Sequence, residues 1–214
     1  MLTLYDYYRS SASFRVRIAL NLKGLQYDVE PIHLLNNGGE QHSHEYRAIN
    51  PQAFVPTLQD GNRILTQSLA IIEYLDEKYP TPPLLPKDIY FKALARSYAL
   101  IIAADIHPLN NLRVSHYLKT EYNITDQQKM RWYKHWIESG LTALEAQLQK
   151  HKLSGDFCLG DQPSIADVCL VPQLYNARRF ECDLDAFPML VHIDSNCQQH
   201  TAFMEAWPTE PVTQ

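Results

Sequence analysis

Little in this chain points towards a metal, a nucleic acid or a membrane. Its 214 residues include only four cysteines, at positions 158, 169, 182 and 197. None belongs to a C-x-x-C pair, and their spacing fits no zinc pattern. They read as buried, reduced thiols of a cytoplasmic protein. Of the nine histidines only His42 and His44 lie close together. No cysteine is near enough to complete a metal set, so the pair reads as a solvated loop and no metal is expected. Nineteen Lys and Arg face 24 Asp and Glu, for a net charge of −5 without a dense basic run. That argues against nucleic acid or an anionic membrane as partner. No apolar run is long enough to span a bilayer. No basic stretch followed by an apolar one opens the chain, so no signal peptide is expected. No internal repeat is seen.

What is present is a chain that is 45% hydrophobic, enough for a sizeable core in one or two domains. Leu2, Leu4 and Tyr8 frame a first strand. Ser10 or Ser11 caps a helix carrying Phe14, Val16, Ile18, Ala19, Leu20 and Leu22, and Gly24 suits its C′ position. Residues 27–34 read as a second strand and 43–49 as a short helix. Asp60-Gly61 marks a hairpin, and Leu69, Ile71, Ile72 and Leu75 recur at helical spacing after Ser68. This is an α/β layer. Pro80, Pro82, Pro83 and Pro86 then make a semi-rigid linker. Beyond it only helices are expected: 90–117 interrupted by Pro108, 127–151, one opened by the capping box Ser164-x-x-Asp167, and 194–205. The predicted organisation is an α/β domain over 1–79, a linker over 80–87, an all-helical domain over 88–208 and a tail over 209–214.

Ser10 and Ser11 stand where a helix begins. Each serves there as an ordinary cap. The same place is also an anion site, because the first N–H groups and the helix dipole favour negative charge. A hydroxyl added there can donate to a sulfur anion. Lowering a free thiol's pKa of about 8.5 by about two units takes about 2.7 kcal/mol, within reach of one charge-assisted hydrogen bond and a helix terminus. Gln67-Ser68 begins another helix and offers a second anion site. Arginine suits carboxylates because its planar guanidinium meets one with two bonds, which makes Arg9, Arg113, Arg178 and Arg179 candidates, each of them otherwise a solvated surface residue. Arg15 and Arg17 are two apart on a helix and cannot share a face, so at most one is expected to look into a cleft.

The segments YYRSSASFRVRIALNLKG, NPQAFVPTL, LTQSLAIIEYL, IHPLNNLRV, SIADVCLVPQ and ARRF, in this order, resemble the zeta class of glutathione transferases. The resemblance covers residues 2–203. It implies a thioredoxin-like N-terminal domain followed by a helical one, a homodimer, and glutathione as cofactor. It implies Ser10 as the hydroxyl that activates the glutathione thiol, with Ser11 beside it. Val55 and Pro56, joined by a cis bond, would meet the cysteinyl part. Ser68 and Gln67 would hold the γ-glutamyl carboxylate and Gln41 the glycyl end. His107 and Asn111 would line the site, and Arg9, Arg113 and Arg179 would bind a dicarboxylate substrate. The implied reaction is cis–trans isomerisation of maleylacetoacetate to fumarylacetoacetate, in tyrosine and phenylalanine catabolism, by reversible thiolate addition. The alternatives are maleylpyruvate as substrate, general zeta-class transferase chemistry, and a non-catalytic glutathione-binding module. The chain departs from the class pattern at Ala12, where many members have Cys, and at Phe14, where many have Trp. No protein thiol can act at position 12, and since the resemblance implies that glutathione supplies the reacting sulfur, a thiol there is expected to be dispensable.

Overall fold

The computed structural model describes residues 1–209; of the expected tail only Thr209 falls within them. The described chain divides into two compact units, one of Met1–Pro83 joined by the segment from His200, the other of Leu84–Gln199.

The first unit holds a four-stranded sheet in the order β2-β1-β3-β4. In β1 (Leu2–Asp6) alternate side chains are buried, as expected of a strand with one face on the core. Its parallel neighbour β2 (Tyr27–Pro31) ends three residues before the expected Leu34 and is an exposed edge. β3 (Thr57–Asp60) and β4 (Arg63–Thr66) form the hairpin, with Gly61 at φ +59° in its turn. Helices α1 (Ser11–Leu22) and α3 (Ser68–Lys78) pack together, with α2 (His44–Ile49) capped by Ser43. Leu4, Leu58, Ile18, Ile71 and Leu75 are fully buried in this unit. Each such side chain contributes about 1.5–3 kcal/mol.

The second unit comprises α4 (Ile89–Leu100), a π-helical turn (Ile101–Ile106), α5 (Leu112–Tyr122), α6 (Asp126–His151), α7 (Ile165–Arg179) and α8 (Pro188–Cys197). The expected helix over 90–117 is therefore three pieces. Pro108 has no N–H to offer, so the ladder cannot continue, and a wider turn precedes the break. α7 is apolar nearly all round and buried, and it packs on both α4 and α8. The expected capping box forms: the Asp167 carboxylate accepts from the backbone N–H of Ser164 at 2.8 Å and of Cys158 at 2.7 Å.

The expected last helix over 194–205 is also split, and its second part, α9 (Thr201–Glu205), belongs to the first unit although the sequence carried the helical domain to 208. The cause is polar as well as apolar. Arg17 Nε donates to the Ala206 carbonyl at 3.0 Å, Asn21 Nδ2 donates to the Ala202 carbonyl at 3.1 Å, and Phe14 meets the edge of Trp207.

Candidate functional site

In the first unit, Ser10 is the N-cap of α1, with extended backbone and its Oγ accepting from the N–H of Ser13 at 3.2 Å. A hydroxyl accepts and donates at once, so capping leaves the Ser10 O–H able to donate a hydrogen bond of its own. Ser11 is the first helical residue and is buried. Arg9 lies just before them, its Nη2 donating to the Tyr7 hydroxyl at 3.1 Å and its guanidinium 5.2 Å over the Tyr8 ring.

Arg15 and Arg17 are both buried, on different partners. Arg17 forms a salt bridge to Asp6 at 2.7 Å and donates to the Tyr8 carbonyl at 3.0 Å, fixing the loop that leads to the serines. Arg15 Nη1 donates to the Ser68 hydroxyl at 3.3 Å. The sequence reading missed this contact. An arginine inside an otherwise apolar helical stretch was the signal that could have revealed it.

Ser68, buried, begins α3, and the N-cap residue Gln67 makes no side-chain capping bond. Gln67 adopts φ +70°, costly for a residue other than glycine, and its amide donates to Gln52 Oε1 at 2.9 Å. The Val55–Pro56 bond is cis, as is Thr81–Pro82, and Val55 is buried. Gln41 is buried beside Gly39, where a Cβ would come within 2.5 Å of its side chain. Among the described residues its Oε1 has no hydrogen-bond partner. A buried acceptor without a donor is costly, and an incoming amide N–H would satisfy it. These polar groups fit glutathione, a tripeptide of two carboxylates, two amides and a thiol.

In the second unit, His107 closes the π-helical turn, its N–H donating to the Ile102 carbonyl at 2.9 Å. Asn111 is the N-cap of α5 and accepts from the N–H of Arg113 at 3.1 Å, which leaves the Arg113 side chain on the exposed start of the helix. Arg179 ends α7 with its guanidinium 5.2 Å over the Phe180 ring. Arg178 instead pairs with Asp194 at 2.6 Å. Burial raises the Asp194 carboxyl despite that arginine.

All four cysteines are buried and reduced. Burial pushes the thiols of Cys158, Cys182 and Cys197 up, so none of these three is a ready thiolate. Among the described residues no group of three metal-ligating side chains comes together, and no helix is long and apolar enough to cross a membrane.

Two family models match the chain: "Glutathione S-transferase, N-terminal domain" over residues 4–83 and "Glutathione S-transferase, C-terminal domain" over 131–208. A probable maleylacetoacetate isomerase of Vibrio cholerae is 48% identical over 97% of this chain and 95% of its own length. The holo structure of a maleylpyruvate isomerase, a bacterial zeta-class glutathione S-transferase, superposes with a TM-score of 0.95 at 41% identity, covering 99% of this chain and 100% of that one. A maleylacetoacetate isomerase of Methylobacterium extorquens AM1, solved with malonate and glutathione bound, gives a TM-score of 0.94 at 39% identity, covering 98% of each chain.

Proposed function

The chain belongs to the zeta class of the glutathione S-transferase family, and from that premise we propose that it is a glutathione-dependent isomerase turning maleylacetoacetate into fumarylacetoacetate. When bound, glutathione supplies a nucleophilic sulfur for reversible addition to the conjugated cis double bond, which frees that bond to rotate.

The protein's own residues prepare and direct this chemistry. Ser10 keeps its proton and donates a hydrogen bond to the sulfur anion while the start of α1 favours that negative charge, with Ser11 as its neighbour. Ser68 and Gln67 hold the γ-glutamyl carboxylate, and Gln41 the glycyl end. Val55 pairs its backbone with the cysteinyl part beside Pro56. His107 and Asn111 also contact glutathione. Arg9, Arg113 and Arg179 bind the substrate's carboxylates and stabilise negative charge as it develops on the conjugated carbonyl. In a protein of net charge −5, such a local positive field is what draws a dianion in.

The observation that carries this reading is the Ser10 hydroxyl at the head of α1, engaged as an acceptor and still able to donate. The enzyme is further proposed to work as a cytoplasmic homodimer in tyrosine and phenylalanine breakdown. The test is isomerisation of maleylacetoacetate and of maleylpyruvate, with and without glutathione. Activity is expected on the first, only with the tripeptide, and lost in Ser10→Ala. Turnover without glutathione would overturn the proposal. Faster turnover of maleylpyruvate would reassign the substrate.

A further inference from the structure

We infer that Tyr133 is a positioning residue that holds Arg113 and Arg179 at a fixed separation, and thereby sets the preference for substrates with two carboxylates. This rests on the assignment of those arginines to the substrate's carboxylates.

Tyr133 lies on α6 and is 8% exposed. It touches the turn that leads into α5, which carries one arginine near its start, and the residue that follows the end of α7, which carries the other. On the first side its hydroxyl donates to the Asn110 carbonyl, and Asn110 Nδ2 donates back to the Tyr133 carbonyl at 3.2 Å. The preceding residue adds a third tie, Trp132 Nε1 donating to the Leu109 carbonyl at 2.9 Å. Asn111 follows directly and caps the N–H of Arg113. On the second side the Tyr133 ring meets the Phe180 ring, centroids 4.2 Å apart, and Arg179 stacks over that same ring. Lys134 reinforces this side by donating to the Glu181 carbonyl at 2.7 Å. Burial raises the Tyr133 phenol, with the positive charge of Arg179 acting the other way.

Arg113 and Arg179 end in long, exposed side chains. What the protein can fix is where each one starts, and one buried tyrosine fixes both starting points. A shift of about 1 Å in such an anchor changes a rate by as much as about 100-fold. A ligand gripped at one point tolerates the shift. A ligand gripped at two points does not.

The test uses the full-length protein. Tyr133→Phe keeps the ring against Phe180 and removes the hydroxyl bond to Asn110. The Kd for malonate, read by calorimetry, is expected to rise about five- to tenfold, and the KM for the keto-diacid with it. The conjugation rate of an uncharged thiol acceptor at saturating glutathione should stay within about twofold. A variant in which these three quantities worsen together, or none changes, overturns the role. Phe180→Leu provides a second approach from the Arg179 side, with the same split expected. In an Arg113→Ala background, Tyr133→Phe should cost malonate affinity much less than in the parent, and an equal cost overturns the coupling. If the parent protein binds malonate yet leaves both cis keto-diacids unchanged, the isomerase proposal fails while the malonate measurements still decide the role of Tyr133. If neither Arg113→Ala nor Arg179→Ala weakens malonate, the role of Tyr133 falls with the arginines.

Discussion

Arg15 donates from Nη1 to the hydroxyl oxygen of Ser68, 3.3 Å away, and both side chains are buried. The bond occupies the acceptor side of that hydroxyl and points its proton elsewhere. Arg15 thereby orients the group assigned to the γ-glutamyl carboxylate. Ser68→Ala is expected to raise the KM for glutathione about tenfold while kcat at saturation stays within about twofold. It should also lower stability by about 1–2 kcal/mol, since a buried guanidinium loses an acceptor. Initial rates across glutathione concentrations and denaturant unfolding check both numbers. A lower kcat at unchanged KM would remove Ser68 from tripeptide binding.

Ser10 caps α1 and is proposed to activate the glutathione thiol, and the two roles can be measured apart. Ser10→Ala removes the cap on Ser13, which should cost about 1 kcal/mol of stability. It should also raise the pKa of the bound thiol by about one to two units, seen as loss of thiolate absorbance near neutral pH. Ser11→Ala should leave the thiolate largely intact. The reverse ranking would make Ser11 the activating hydroxyl.

Gly140 on α6 leaves room for the π-helical turn. A Cβ at that position would stand 2.3 Å from Ile106 Cγ1 and 2.4 Å from its Cδ1. Gly140→Ala is expected to destabilise the protein by about 1–3 kcal/mol. Because the clash is with one side chain, the double variant Gly140→Ala/Ile106→Ala should lose clearly less than the sum of the two single losses. Strict additivity in denaturant unfolding would show that the turn does not depend on this gap.

At high pH, Tyr98 should contribute a measurable slope. Its hydroxyl lies 2.7 Å from His151 Nδ1, and burial, helped by Cys158 and Tyr90, pushes the phenol up to about 12. Between about pH 10, where an unfolded tyrosine loses its proton, and the folded value, the folded chain holds the extra proton. Stability therefore falls as pH rises through that window. Tyr98→Phe should flatten this part of the alkaline unfolding curve. An unchanged slope would place the phenol near its ordinary value.

The parts of the fold set by neighbouring residues could be read from the sequence. The cap at Ser10, the φ +63° of Gly24 after α1, the cap at Ser43 and the Ser164–Asp167 box are all decided within a few residues. The serine pair and Ser68 were legible as site candidates for the same reason, whereas Gln41 was offered only by the family resemblance. What escaped was set by distant partners. The burial of both Arg15 and Arg17 depends on Ser68 and Asp6, residues that helical periodicity cannot bring in. The π-helical turn follows from Pro108 and from a glycine on α6, and apolar spacing alone cannot tell it from ordinary helix. The break between α8 and α9 falls in Gln198–Gln199–His200, without glycine or proline to mark it.

The return of α9 to the first unit has a consequence in time. A ribosome delivers β1 to α3 first and the carbonyls of Ala202 and Ala206 only after all of α4 to α8. Multidomain chains commonly finish their leading domain while the remainder is still being made. Here the Arg17 Nε and Asn21 donors lack these acceptors, and Phe14 lacks its Trp207 neighbour, until the segment from His200 has been made. A transcript that stops early would thus forfeit the completed form of the segment made first.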